Sequence, residues 1–314
     1  MRRYILRRVA AMAATLLFVS LLVFVVVRVL PGDPALVILG IEASPEAVAR
    51  LRESLGLNRP IPVQYAAWVG QAVVGDLGRS IQYDVPVGSL ILSRLQVTLP
   101  LTLLAAGLMA AAAIPLGVFA ATRHRRWGDY VSMALSQLGV AVPGFWAGLL
   151  LILLFSVRLG WLPAGGFDGW GQGVWRAVKS LLLPAAALGL FQFAVLARTT
   201  RSALLEVLRE EYVKTARAKG VPERAVLFRH ALSNAIIPVL TVAGIQLGQL
   251  MAGSIILESV FYLPGLGRLA LGAISARDLP VVQGVVLFVA SMIVMINVAV
   301  DILYGFLDPR IRYE

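Results

Sequence analysis

The chain has 314 residues, of which 59% are hydrophobic and 14% charged, and its mean hydropathy is +0.83. Soluble domains are about half apolar and about a quarter charged, so this composition excludes an ordinary soluble protein and predicts an integral membrane protein. The sequence has no cysteine and only two distant histidines, His124 and His230. This argues against disulfides, thiolate metal sites, a cysteine nucleophile and a histidine metal cluster.

Residues 1–30 predict a short cytoplasmic tail followed by a first membrane span. The tail is basic, with Arg2, Arg3, Arg7 and Arg8. An apolar run without a charge follows, from Val9 to Val27. A cleaved signal peptide is the alternative, but the run is longer than the core of a signal peptide and no A-x-A site closes it. The basic flank favours a span that begins in the cytoplasm.

Residues 31–96 predict a small periplasmic excursion. The sequence Pro31-Gly32-Asp33-Pro34 breaks the first span. Ser44 is a predicted N-cap for a short helix that Gly56 stops. A second short helix is predicted from Pro62 to Gly75, resting on the membrane surface or on the other spans.

Five more apolar stretches predict further spans, since a crossing needs about 18 to 20 apolar residues. They lie at about Val97–Ala121, Tyr130–Val157, Leu181–Ala197, Ala235–Leu257 and Leu279–Val300. The stretch at 181–197 is short and contains Pro184. Prolines predict kinks in the spans at Pro100, Pro115 and Pro143. The predicted fold is therefore all-α and integral to the membrane, with six transmembrane helices and a translocation core at 97–314.

Six spans with a cytoplasmic start place both termini in the cytoplasm. The segments assigned to the cytoplasm carry more lysine and arginine than those assigned to the outside, as the positive-inside rule requires. Topology in the lipid bilayer therefore explains the net charge of +11, and nucleic-acid binding is not expected.

Residues 202–238 form the longest polar, basic stretch between two predicted spans. Apolar positions at helical spacing predict an amphipathic helix over Ser202–Lys219, with one face formed by Leu204, Leu208, Tyr212 and Ala216. Gly220 is a predicted helix stop. A second helix then begins near Pro222 and Glu223, with Ala225, Phe228 and Leu232 on one face. The pattern predicts a helix-turn-helix that presents a polar knob to the cytoplasm.

Three runs of residues in this loop are similar to a known motif: Tyr212 to Gly220, His230 to Leu232, and Asn234 to Pro238. They resemble the "EAA" cytoplasmic loop in the membrane subunits of ABC importers, most closely the dipeptide/oligopeptide/nickel permease family. Lys214 and Thr215 stand where the wider signature has Glu-Ala, and Pro238 lies farther from the glycine, as in the peptide-permease variant. The resemblance extends to Gly75-Asp76-Leu77-Gly78, to Glu258 through Arg268, and to both ends of the chain, including Pro309-Arg310-Ile311-Arg312.

The resemblance implies a subunit of a bacterial inner-membrane importer. Its implied partners are a second homologous permease subunit, two ATPase subunits and an extracytoplasmic substrate-binding protein. The implied ATPase-coupling residues are Glu211, Tyr212, Thr215, Ala216, Arg217, Ala218, Lys219 and Gly220. No Gly-Lys-Ser/Thr motif for a phosphate loop exists in the sequence. We therefore expect neither an enzyme nor a cofactor here, and ATP hydrolysis is expected on the partner subunits.

Polar residues within spans are costly and often functional. The sequence gives five pore or gate candidates: Gln137, Pro143, Gln246, Asn297 and Glu258. For each polar one, hydrogen bonding between helices, or a salt bridge at the interface, is the structural alternative.

The predicted function is a pore-forming permease subunit for dipeptides, oligopeptides or glutathione-like peptides. A nickel-chelate or other small-solute ABC permease is the alternative. A stand-alone carrier or channel would need ionisable residues within the spans, which are almost lacking. An intramembrane enzyme would need a cysteine, a histidine pair or a buried carboxylate pair.

Overall fold

The computed structural model describes residues 2–29, 36, 39, 43–54 and 56–307. Most of these residues are helical, and the extended pairing among them is an isolated bridge between Arg79 and Pro86. The predicted break at 31–34 and the C-terminal motif at 309–312 lie outside the described residues.

The described helices follow one another with short connections. They are α1 (Arg2–Val29), α2 (Pro45–Ser54), α3 (Ile61–Val73), α4 (Val87–Thr122), α5 (Trp127–Ala141), α6 (Gly144–Arg158), α7 (Val174–Val207), α8 (Glu211–Ala218), α9 (Glu223–Val260), α10 (Leu266–Ser275) and α11 (Leu279–Leu307). Among the described residues, two stretches are π-helical, one at the end of α6 (Ile152–Arg158) and one in α9 (Val226–Ala231).

Five described helices are long and apolar enough to cross a membrane, namely α1, α4, α7, α9 and α11. Helices α5 and α6 pass the same test only as a pair, and they meet at an angle of 103°. The described chain therefore has five spans, or six if this bent pair counts as one.

The kink predicted at Pro143 is confirmed and is sharper than a bend within one helix. Val142 has extended φ and ψ of −89° and 119°, and Pro143 is the N-cap residue just before α6. The ring of a proline disfavours helical geometry in the residue before it, which explains the break. By contrast, Pro100 and Pro115 lie inside the continuous helix α4, and Pro184 lies inside α7.

Helices α4 and α7 extend beyond their predicted spans. Helix α4 begins at Val87 instead of near Val97, and α7 runs from Val174 to Val207 instead of about 181–197. The sequence-based bounds are too short because the terminal turns of both helices contain polar and charged residues. Hydropathy detects only the apolar middle of a helix.

Contacts between distant residues define two ends of the bundle. At the end that carries Gly220, here called the loop end, Arg8 lies 3.0 Å from Asp301 and Arg201 pairs with Asp129. At the opposite end, here called the mouth end, Glu258 and Thr98 are hydrogen-bonded.

The core is built from closely packed helices with small residues at their contacts. Ala105 of α4 is fully buried, and a small residue at such a contact lets two helices approach closely. Gly117 of α4 and Gly189 of α7 face the opposite helix, where an added Cβ would lie 2.6 Å from the Ala197 carbonyl oxygen and 3.1 Å from that of Ala105. The contact at Gly117 leaves no room for a side chain, and the contact at Gly189 is tighter than an ordinary one.

The predicted short helices after α1 are confirmed. The Ser44 hydroxyl accepts a 3.3 Å hydrogen bond from the Ala47 amide, as an N-cap does, and Gly56 has a φ of +67°. Helix α3 packs on α1, where Tyr65 is 2.8 Å from the Ser20 hydroxyl and its ring lies edge-on to Phe24.

Candidate functional site

The predicted helix-turn-helix is present at the loop end, but its first helix is divided. The prediction of one helix over Ser202–Lys219 is wrong, because α7 ends at Val207 and α8 begins at Glu211. Glu210 is extended, with a ψ of 146°. The break turns α8 back so that Val213 becomes fully buried. Packing has therefore overridden a continuous helical pattern.

A small apolar core lies beneath this loop. Val213, Ala216 and Val226 are buried together, with Leu208 and Val221 packed against them. The glycine turn is thus held from below by side chains on both of its flanking helices.

Parts of the predicted apolar faces differ from the structure. Tyr212 is 43% exposed and Phe228 58% exposed, while Val226 and Ala231 are buried. The π-helical stretch at 226–231 changes the register of the second helix, so a 3.6-residue period misassigned its inner face.

Gly220 forms the predicted turn, with a φ of +77° that favours glycine. Across the turn, Arg217 donates two hydrogen bonds to the Glu223 carboxylate, at 3.1 Å from Nε and 2.7 Å from Nη2. The hydrogen bond to Glu223 raises the pKa of Arg217 above its usual value. Arg217 therefore closes the turn, and Lys219 at the tip is exposed.

The other predicted coupling residues divide by exposure. Exposed ones are Glu211, Tyr212, Thr215, Ala218 and Lys219. Ala216 is buried at 9% exposure, so its small side chain serves the core beneath the loop and cannot offer a surface for close approach.

A second polar cluster at the loop end was not predicted. Asp129 is buried and accepts hydrogen bonds from Arg201, at 2.6 Å from Nε and 2.7 Å from Nη2. The same carboxylate accepts the Arg125 amide at 3.1 Å and lies 3.2 Å from His124 Nδ1. The cluster joins the connection between α4 and α5 to α7, two turns before α7 ends. An acid at the start of an apolar span was the available signal in the sequence.

At the mouth end, Glu258 is completely buried. It accepts the Thr98 hydroxyl at 2.6 Å and the amides of Gly267 and Arg268 at 2.7 and 3.2 Å. Thr98 in turn accepts the Leu266 amide at 2.8 Å. The predicted alternative of an interface salt bridge is wrong. Glu258 instead fixes the N-terminus of α10 to α4.

Asp278 has a similar role that the sequence did not reveal. Its carboxylate accepts the Ser80 hydroxyl at 2.5 Å and the amides of Ile81 and Gln82 at 3.2 and 3.1 Å. It therefore holds the turn that precedes α4 against the start of α11.

The remaining pore candidates do not converge on Glu258 or on one another. Gln137 is exposed and accepts a 3.3 Å hydrogen bond from Arg198, and Pro143 lies at the break between α5 and α6. Gln246 is buried and donates to the Gln192 carbonyl at 3.1 Å. Asn297 is exposed on α11.

The amino-acid sequence matches two families of membrane proteins. Residues 113–313 match the family described as binding-protein-dependent transport system inner membrane component, and residues 1–102 match the N-terminal family of such membrane components.

Curated relatives align over their whole lengths. A putative peptide transport system permease of Brucella abortus is 48% identical over 314 residues, covering 100% of both chains. A glutathione transport system permease of Salmonella choleraesuis is 42% identical over 314 residues, and a dipeptide transport system permease of Alkalihalophilus pseudofirmus is 40% identical over 333, both with 100% of each chain covered.

The fold is similar to a solved ABC transporter. The MetNI methionine ABC transporter in inward-facing conformations aligns with a TM-score of 0.58 and 19% identity, over 70% of this chain and 96% of that one. The relatives are transport permeases and not enzymes, and they place the chain in the inner membrane as a multi-pass protein. The chain therefore belongs to the inner-membrane components of binding-protein-dependent transport systems, as an ABC importer permease of the peptide type.

Proposed function

We propose that this chain is one pore-forming subunit of an ATP-driven importer of peptides. The names of the relatives support this cargo class, since they refer to peptides, dipeptides and glutathione. In this proposal the chain pairs with a second, homologous permease subunit, and two ATPase subunits supply the energy.

The two ends of the bundle then face opposite compartments. The loop end lies in the cytoplasm with both chain termini, which agrees with the arginine-rich first turns of α1. The mouth end faces outward, toward an extracytoplasmic binding protein.

The observation that carries the proposal is the exposed, braced turn at Gly220. The ion pair of Arg217 and Glu223 closes it from above, and the buried Val213 fixes it from below. Because α8 connects the end of α7 to the start of α9, a force on this turn acts on two spanning helices together. A stiff contact of this kind suits an ATPase that moves the spans.

Substitution of Gly220 tests the coupling role. Proline cannot adopt a φ of +77° and lacks the amide that Gly220 donates to the Arg217 carbonyl at 2.9 Å. Asparagine tolerates the left-handed region, and no atom lies within 4 Å of a Cβ at this position. We expect Gly220→Pro to abolish ATP-driven peptide uptake by the reconstituted transporter, while Gly220→Asn retains it.

Membrane insertion and assembly with the ATPase subunits are measured in parallel for both variants. Normal uptake by a correctly inserted Gly220→Pro protein would contradict the coupling role. Uptake by the wild-type protein that continues without the ATPase subunits would contradict the whole proposal.

A further inference from the structure

A cavity of about 320 Å³ opens at the mouth end between α4, α10 and the turn that precedes α4. Arg94 of α4, Arg268 of α10 and Tyr83 of the turn line it. Gly265, Pro264 and Leu269 form its less polar wall. Two arginine residues therefore line one small space.

The positive charge of this cavity is not neutralised within the described residues. Neither Arg94 nor Arg268 forms an ion pair with a carboxylate there. The Nε atom of Arg94 is buried and has no hydrogen-bond partner. Arg268 donates only to the Tyr262 carbonyl, at 3.3 Å, and its guanidinium lies 3.4 Å from the centre of the Tyr262 ring. Two arginines that line one cavity and have no carboxylate partner among the described residues make it positively charged, so the cavity suits an anion.

The walls of the cavity are fixed in advance by buried anchors. The Glu258 carboxylate holds the amides of Gly267 and Arg268, so its oxygens are engaged below the cavity and do not pair with the guanidinium groups. On the other side, Asp278 holds Ser80, whose hydroxyl accepts the Tyr83 amide at 3.0 Å. A preformed site loses little conformational entropy when it binds a ligand.

The chemistry of the cavity identifies the anion. Arginine binds planar carboxylates with two parallel hydrogen bonds, and the half-exposed Tyr83 also lines the cavity. The volume is at the lower limit of ligand pockets, which run from about 300 Å³, so it fits the end of a peptide rather than a long one. Peptides, dipeptides and glutathione, the cargoes named for the relatives, share a free carboxylate.

We propose that Arg94 and Arg268, with Tyr83, form a subsite that binds the terminal carboxylate of the peptide as it enters from the mouth end. This inference rests on the proposed function, because it requires that the cargo is a peptide. The subsite selects peptides with a free C-terminus and orients them before they pass between the spans.

The test compares a dipeptide with its C-terminal amide. Initial uptake of both is measured below saturation in proteoliposomes that hold the complete transporter, with one binding protein used throughout. The variants are Arg94→Gln, Arg268→Gln and the double variant. Arg158→Gln removes an exposed arginine of the mouth end outside the cavity and is the control. Each variant gives a ratio of acid uptake to amide uptake. Dividing this ratio by the wild-type ratio cancels any preference of the binding protein.

We expect each cavity variant to lower the acid-to-amide uptake ratio by about tenfold, the effect of one lost hydrogen bond to a charged group. Arg158→Gln leaves the ratio unchanged. Arg268→Lys and Arg94→Lys retain the charge but not the two-pronged geometry, so they give intermediate ratios and show that loss of folding is not the cause.

Unchanged ratios in the folded glutamine variants would overturn the subsite. So would an equal loss for acid and amide together with a raised KM for the binding protein, which would assign the arginines to protein docking. If the wild-type transporter imports neither form when ATP is supplied, the proposed function itself fails, before any variant is compared.

Discussion

The close contact between α4 and α7 at Gly117 predicts a specific loss of stability. In a Gly117→Ala variant, the new Cβ would lie 2.5 Å from Thr200 Cβ and 2.6 Å from the Ala197 carbonyl oxygen. Carbon atoms in ordinary contact are about 3.5–4.0 Å apart, so the two helices must separate by roughly 1 Å. Backbone atoms form one side of the contact, and they cannot rotate away as the end of a side chain can.

A second glycine in the same helix isolates the cost of this clash. No atom lies within 4 Å of a Cβ at Gly107. Both substitutions gain about 0.5–1 kcal/mol because alanine is the better helix former. Only Gly117→Ala adds the strain of overpacking, which is about 1–3 kcal/mol. The free energies of unfolding of the two variants should therefore differ by about 1–3 kcal/mol.

Unfolding of the two purified variants in the same detergent measures this difference. We expect the Tm of Gly117→Ala to fall below the wild-type value and that of Gly107→Ala to equal or exceed it. Equal midpoints for the two variants, or a more stable Gly117→Ala protein, would refute the close approach of α4 and α7.

Two further predictions concern the buried anchors. Asp129→Asn removes the partner of Arg201 and should cost about 3 kcal/mol of folding free energy in a denaturation experiment. Adding Arg201→Gln should cost little more, and full additivity would refute a direct pair. Thr98→Val breaks the link from α4 to Glu258 and to the Leu266 amide of α10, at a cost of about 1–3 kcal/mol. Thr102→Val removes only a hydrogen bond to its own helix, so it should be milder, and equal losses for both would argue against the link.

Local patterns in the sequence predicted the spans and the Gly220 turn well. Long apolar runs predict spans because lipid requires them, and glycine is the residue that accepts a φ of +77°. The break between Val207 and Glu211 could not be predicted, since it exists to bury Val213 against a helix that follows the turn.

The functional side chains were harder to predict because their partners are remote in the chain. Arg201 lies 72 positions from Asp129, and Glu258 lies 160 positions from Thr98. From the sequence, Glu258 is a pore or gate candidate, and that role stays a prediction. Its burial and its role as an anchor depend on the packing of α10, which no local pattern encodes.

The contacts at Gly117 and Gly189 have a consequence for the transport cycle. Helices that meet through backbone atoms at two levels cannot slide past each other without a collision, so α4 and α7 are expected to travel as one rigid body. A conformational change that opens the subunit toward either compartment must then occur at connections outside the pair of α4 and α7. One such connection is the break at Val142, where α5 and α6 meet at 103° without continuous helical hydrogen bonding.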